Sequence, residues 1–361
     1  MTDLPSSKFI LAASSGSLKI KDSLFENINS SLLFLSDVTT SINNVTLNRI
    51  YCPKSSNSFC LLKATSSSDT IEIANSSITN IHSNVDLVSL SDCTQVVLSN
   101  VTAQNMLKMN KENFDQIFVL HALNLQNLSI CQSDFSKVGF SSVKVKNANV
   151  KIQDSTFSNR LKTDHRLLSS QSVNDAKLSQ PIQFIILENS NSSLTNISFI
   201  ENSHNTLVNG GGVQILGSGG VHTLTDCIFE NNQAYNGGAL YVKGQSSSIS
   251  IINSQFDGNQ ASGTGGALFF ADQSLLFVIA LSHYFFLGVK NALLISRSAF
   301  YQNTATLGGA VSLGTQALVV DSSSFIENNA ERGGALATLS AARNFFLFSL
   351  SLKPPTRQYI G

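Results

Sequence analysis

Residues 224–242, LTDCIFENNQAYNGGALYV, hold two short patterns that return along the chain in the same order. The first runs apolar, any residue, Asp or Asn, Ser or Cys, any residue, Phe, and then Asn three residues on. The second is Gly-Gly-Ala followed by an apolar residue. Phe256 and Asn259 precede Gly265-Gly266-Ala267, Phe300 and Asn303 precede Gly308-Gly309-Ala310, and Phe325 and Asn328 precede Gly333-Gly334-Ala335. Phe199 and Asn202 precede the looser Gly210-Gly211-Gly212. A motif that recurs every 25 to 30 residues marks a solenoid, in which each repeat buries its apolar face only against its neighbours.

With that template, weaker copies of the first half appear upstream. They end at Phe25, Leu47, Ile78, Ala103, Phe135 and Phe157, and with Phe199, Phe229, Phe256, Phe300 and Phe325 they make eleven copies. The steps between them are 22, 31, 25, 32, 22, 42, 30, 27, 44 and 25 residues, so 22 sets the smallest turn and longer steps carry insertions. Within each copy apolar residues alternate, as in Ser248-Ile249-Ser250-Ile251, which is a strand period. The Gly-Gly-Ala half continues as a second strand. Its first and third positions are mostly aliphatic (Val213/Ile215, Leu240/Val242, Leu268/Phe270, Val311/Leu313, Leu336/Thr338) and are expected to point inward. Gln214, Tyr241, Phe269, Ser312 and Ala337 between them are expected to point outward. Short strands, no helical period and a turn of this length predict an all-β parallel β-helix of about eleven coils.

The repeated residues then have structural work to do. Coils stacked about 4.8 Å apart put the Phe positions in one column, an aromatic stack in the core. Phe256 is therefore expected to be core, between Phe229 and Phe300. Asp or Asn three residues before Phe falls where the strand must turn and can pass hydrogen bonds from coil to coil. Gly-Gly suits a corner with positive φ and a close approach to the next coil.

Residues 1–340 are read as one repeat domain and 341–361 as a non-repeat tail. Insertions at 51–62, 106–118 and 158–180 follow the Phe-equivalent position and so leave from one corner. A further one, 271–290, interrupts the copy before Phe300. It holds Leu275–Val289, LLFVIALSHYFFLGV, fifteen residues with Ser282, His283 and Tyr284 inside, short of the ~20 that span a bilayer. This run and the tail read as sequence foreign to the solenoid, as a retained intron would be. No secretory signal is recognisable in MTDLPSSKFILAAS, which fits a cytosolic protein or a truncated chain.

Lys plus Arg balance Asp plus Glu at 23 each, with no basic cluster, so nucleic-acid binding is excluded as a function class. Cys52, Cys60, Cys93, Cys131 and Cys227 show no CxxC spacing. Cys52 and Cys60 are near enough in sequence to close one loop, while Cys131 and Cys227 read as small buried residues standing where other copies have Ser. Seven Asn-x-Ser/Thr sequons are no more than the Asn, Ser and Thr content supplies by chance. No catalytic, cofactor-binding or metal-ligating residue is singled out, because acid–base chemistry needs paired carboxylates or a carboxylate beside a base. Asp22, Asp154 and Asp226 belong to the turn column, there is no Asp-Asp pair and no Gly-His-Gly, and His82, His121, His165, His204, His222 and His283 are scattered.

The paired Phe-x-x-Asn and Gly-Gly-Ala motifs, clear in four copies from Phe229 to Leu336, resemble the polymorphic outer-membrane protein repeat of chlamydiae and of some protist repeat proteins. The resemblance implies a right-handed parallel β-helix of the pectate-lyase type, carried to a cell surface and used in adhesion. The barrel that anchors the bacterial proteins has no counterpart in this sequence. The expected function is a non-catalytic cell-surface or secreted scaffold without cofactors, whose partners are other surface proteins or glycans. Membrane association would come only through the foreign segments. The alternative is a polysaccharide lyase or glycoside hydrolase, since β-helices host these.

Overall fold

The column three residues before the Phe-equivalent position turns the chain in every coil. In the computed structural model Asp22, Asn44, Asn75, Asn100, Gln132, Asp154, Asn196, Asp226, Asn253, Arg297 and Ser322 all have positive φ, from 47° at Ser322 to 55° at Asp226. One left-handed residue bends a strand sharply, and Asn and Asp tolerate the region because their short polar side chains bond locally. A second corner follows two residues after the Phe-equivalent position, at Asn27, Arg49, Asn80, Asn105, Lys137, Glu201, Asn231, Gly258, Gln302 and Glu327. The structure describes residues 11–29, 32–52, 59–65, 70–108, 117–138, 141–158, 184–202, 209–244, 247–271, 292–314, 317–339 and 345–353, and these contain strands, turns and bends but no helix. The strands pair in parallel from coil to coil, which makes the fold an all-β parallel β-helix. Contacts divide the chain into two compact units, Met1–Lys144 with Ser155–Ile182, and Val145–Asp154 with Gln183–Gly361.

In the first unit one sheet stacks Gly16–Ile28, Val38–Cys52, Thr70–Ser83 and Gln95–Lys108, with Ile20, Ile42, Ile73 and Leu98 in one register. These strands run 13 to 15 residues, passing through an apolar position three after the Phe-equivalent, where Ile50, Ile81 and Met106 are buried. A second sheet stacks Leu33–Ser36, Phe59–Thr65, Asp86–Ser91 and Phe118–Leu123, with Leu33, Leu62, Val88 and Leu120 facing inward in register. The Cys52–Cys60 disulfide ties the end of a first-sheet strand to a second-sheet strand across eight residues.

In the second unit the Phe column is continuous. Phe199, Phe229, Phe256, Phe300 and Phe325 pair in register, with ring centroids 4.6 to 4.7 Å apart and planes within 13° of parallel. Phe256 is fully buried, as the column requires. Three residues later Asn232, Asn259, Asn303 and Asn328 form a buried ladder. Each donates its amide to the previous Phe of the column, as Asn259 does to Phe229 O at 2.9 Å, and Asn232, Asn259 and Asn303 donate to the next Asn as well. The backbone N–H groups of Asn232, Asn259 and Asn303 bond the next Oδ1 at 3.0 to 3.1 Å. Here the strand breaks, and a short third sheet forms from Gln233–Ala234, Gln260–Ala261, Thr304–Leu307 and Asn329–Arg332. The Gly-Gly-Ala strands stack as Val213–Leu216, Leu240–Lys243, Leu268–Phe270, Val311–Leu313 and Leu336–Thr338. In three of the corners Gly237, Gly265 and Gly308 take φ of 59° to 65°, and a Cβ on the following Gly238, Gly266 or Gly309 would fall well inside contact with a glycine carbonyl of the next coil.

Three expectations change. Tyr241 and Phe269 do lie in one column on the outer side of their strands, but both are buried, their rings packing at 5.7 Å and 50°. Two large rings on adjacent coils cover each other, and the glycine corner brings Gly210 against Tyr241 Cβ. The expected ladder of the Asp/Asn column three before Phe forms at the exposed corner, as in Asn44 to Asp22 at 2.7 Å and Asn100 to Asn75 at 2.9 Å, and the buried amide ladder three residues after Phe is additional to it. Cys227 is buried where Ser254 and Ser298 stand in later coils, its thiol pushed up to about 12 by burial, but Cys131 sits four residues before Phe135 and is only half-buried. The tail expected to leave the repeat opens with the strand Phe345–Lys353, paired with Ala317–Ile326 so that Leu352 stands opposite Phe325. Its alternating FFLFSLSLK suits that pairing.

Candidate binding faces

The first unit places an acid–base pair on the outside of its second sheet. His121 Nδ1 lies 2.8 Å from Asp86 Oδ2, and Asp86 Oδ1 accepts a hydrogen bond from the backbone N–H of Phe118 at 2.9 Å, so both side chains are held. Lys63, Ser89 and His121 share one outward column through the register of their strands. The Phe118 ring packs against His121 at 5.3 Å and carries Lys144 Nζ at 5.7 Å on its face. The sequence hid this group because Asp86 and His121 are 35 residues apart, and the coil lengths that bring them together are irregular. Coil-to-coil register would have been the signal.

In the second unit His222 is buried and bonded to Ser192 at 2.9 Å, and burial lowers its pKa to about 4. It is a neutral structural residue. Glu230 and Asp257 occupy the same position on consecutive coils, followed in that column by Tyr301. Burial raises the Asp257 carboxyl, and the Tyr301 hydroxyl is raised by its 3.0 Å hydrogen bond to Glu327. This carboxylate pair was not read from the sequence, where the two residues are separated by a full repeat. Asp22, Asp154 and Asp226 stand at left-handed corners and each accepts an Asn amide from the next coil, from Asn44, Asn196 and Asn253. Their acceptor sites serve the ladder, and none is beside a histidine among the described residues.

The third sheet has two outward columns. Gln233, Gln260, Thr304 and Asn329 form one, and Tyr235, Ser262, Thr306 and Glu331 the other, with Ala234, Ala261, Ala305 and Ala330 between them facing in. A shallow open groove runs over the last three of these coils, at residues 260–262, 304–306 and 329–331.

The insertions at 51–62, 106–118 and 158–180 each leave a strand of the Phe column and enter a strand of the other main sheet, but residues 53–58, 109–116 and 159–180 lie outside the described residues. So do His165, His204, His283, Leu275–Val289 and most of the interruption at 271–290. Among the described residues no group of three or more His, Cys, Asp or Glu is placed to hold a metal ion, and no helix is long and apolar enough to cross a membrane.

No curated protein matches the chain. Among solved structures, the Azotobacter vinelandii mannuronan C-5 epimerase AlgE4 A-module is similar at 8% identity and a TM-score of 0.30, over 91% of this chain and 87% of that one. Two consecutive coils, residues 226–243 and 253–271, match the model of the Chlamydia polymorphic membrane protein repeat, and the matched stretches hold Asn232 with Gly237-Gly238-Ala239 and Asn259 with Gly265-Gly266-Ala267.

Proposed function

We propose that this chain is a non-catalytic, extracellular or cell-surface β-helix scaffold that binds other surface molecules, proteins or glycans, through its outer faces. One observation carries the reading: the repeated polar residues of the second unit are consumed by the fold. The Asn ladder bonds itself and the backbone, the corner Asp and Asn bond each other, and the glycines are required by backbone approach, which leaves the chemistry of the repeat structural. The Cys52–Cys60 disulfide supports an oxidising compartment, where such bonds persist. The similarity to a membrane-protein repeat supports a surface location.

The second reading, a polysaccharide lyase or glycoside hydrolase, is favoured by the Asp86–His121 pair and by Glu230 beside Asp257. Both place ionisable groups where a sugar polymer could reach them. The test is product analysis after long incubation with pectin, alginate and neutral β-linked glucans. No cleavage or epimerisation is expected. Turnover abolished by His121→Gln or Glu230→Gln would reverse the assignment.

A further inference from the structure

The third sheet of the second unit presents a surface of amides and hydroxyls whose hydrogen-bonding capacity is largely unspent. Among the described residues the side chains of Gln233, Gln260, Thr304 and Asn329 make no hydrogen bond, and Thr306 uses only its donor, to Ser262 O at 3.0 Å. They stand in columns one coil apart, about 4.8 Å, on a rigid sheet backed by the buried Asn ladder and the Phe stack. Only Glu331 carries a charge in the two columns, and Tyr235, 48% exposed, stands at the head of one of them.

We propose that this face binds a neutral oligosaccharide laid along the stack, with successive sugars over successive coils. The coil spacing is close to the length of one pyranose unit. Gln and Asn amides and Thr and Ser hydroxyls both donate and accept, as sugar hydroxyls do, so each coil can meet a sugar with matched groups. Tyr235 supplies an apolar ring for the C–H face of a terminal sugar, with its hydroxyl left at the wet edge. An acidic polymer finds no cation in these columns, and a protein partner finds no apolar centre of the kind stable interfaces are built on. The proposal rests on the scaffold reading and names the ligand class for one face of it.

The test uses the full chain, with cellohexaose, mannohexaose and chitohexaose as probes and hexaguluronate as the acidic control, in calorimetry and in hydrogen exchange. At least one neutral hexasaccharide is expected to bind with a Kd of about 1 mM or tighter, with little salt dependence, and to slow exchange at residues 233–236, 260–264 and 304–307. The double variant Gln260→Ala, Thr304→Val should weaken it about tenfold or more, the loss of two hydrogen bonds, with an unchanged melting temperature because both side chains lie at the surface. No binding by any neutral probe, affinity indifferent to the double variant, or preferred and salt-sensitive binding of hexaguluronate would each overturn the proposal. Release of product from a bound neutral probe, abolished by Glu230→Gln while affinity still depends on Gln260 and Thr304, would overturn the scaffold reading and leave the glycan face standing.

Discussion

The two units solve one packing problem with different residues at the position three after the Phe column. In the first unit Ile50, Ile81 and Met106 fill it, all buried, and their strands continue for 14 or 15 residues. In the second unit Asn232, Asn259, Asn303 and Asn328 fill it, bonded from coil to coil, and the strand breaks into a short third sheet. The Phe column differs in the same way. The first unit has Leu47, Ile78 and Ala103 there, with one stacked pair, Phe135 and Phe157 at 4.9 Å, whereas the second has five stacked rings. An aliphatic column tolerates variation in size, because apolar side chains repack. An amide ladder does not, because each member is donor and acceptor to its neighbours and a gap leaves buried groups unpaired. The sequence is accordingly most regular where the polar ladder runs.

The largest effect that would break this comparison is on the ring stack. Phe256→Ala should cost ~3–5 kcal/mol and open residues 229–300 first, while Leu47→Ala, half-buried in the same column of the first unit, should cost ~1–2 kcal/mol. Hydrogen exchange that shows equal losses would mean the stack adds nothing to plain apolar burial. Acid comes next. His222 is neutral and its pKa is lowered to about 4 against an unfolded value of about 6.5, so its contribution is fully present above pH 6.5 and is lost as the pH falls towards 4. The loss reaches about 3 kcal/mol below that range. Urea midpoints at pH 7 and pH 4.5 should therefore fall further in the native protein than in His222→Gln, and parallel falls would contradict a neutral buried imidazole.

Reduction of Cys52–Cys60, which closes a short loop in the first unit, should cost about 2.5 kcal/mol and lower the melting temperature of that unit alone. A loss spread over both units would show that they do not open independently. Asn259→Leu imports the first unit's solution into the second and should cost about 2 kcal/mol, since it takes the acceptor from the backbone N–H and one side-chain N–H of Asn232 and the donor from Phe229 O. A neutral or stabilising result would show that the ladder marks ancestry and not stability. The smallest effect is at the exposed corner. Asn100→Ala keeps φ near 51° without the amide bond to Asn75 and should cost ~1 kcal/mol, with Asn100→Gly restoring most of it. Thermal melts of the two variants compare these directly.

Much of this was legible in advance because a solenoid writes each structural requirement several times. Phe256 was placed in the core, and the glycines at a crowded corner, from repetition alone. The Asp86–His121 pair was not, because the first unit's steps of 31, 25 and 32 residues hide which residues face each other until the strands pair. The burial of Phe269 was missed because alternation reports direction and not cover: the residue does point outward, and the Tyr241 ring of the adjacent coil shields it. The Asp/Asn column three before Phe does pass hydrogen bonds from coil to coil, as its repetition suggests, but the second, buried ladder three after Phe escapes the sequence, because both columns are spaced alike there and only the interior tells them apart.

By itself the sequence determined the coil, its corners and its apolar column, since each depends on residues within one repeat and on the identity of the same position in the next. Tertiary structure alone decided which outward groups meet. Side chains on adjacent coils lie about 4.8 Å apart but 22 to 44 residues apart in the chain, and insertions of irregular length separate the two measures. The unspent amides and hydroxyls of the third sheet, the carboxylates of Glu230 and Asp257, and the held His121 are all products of that stacking.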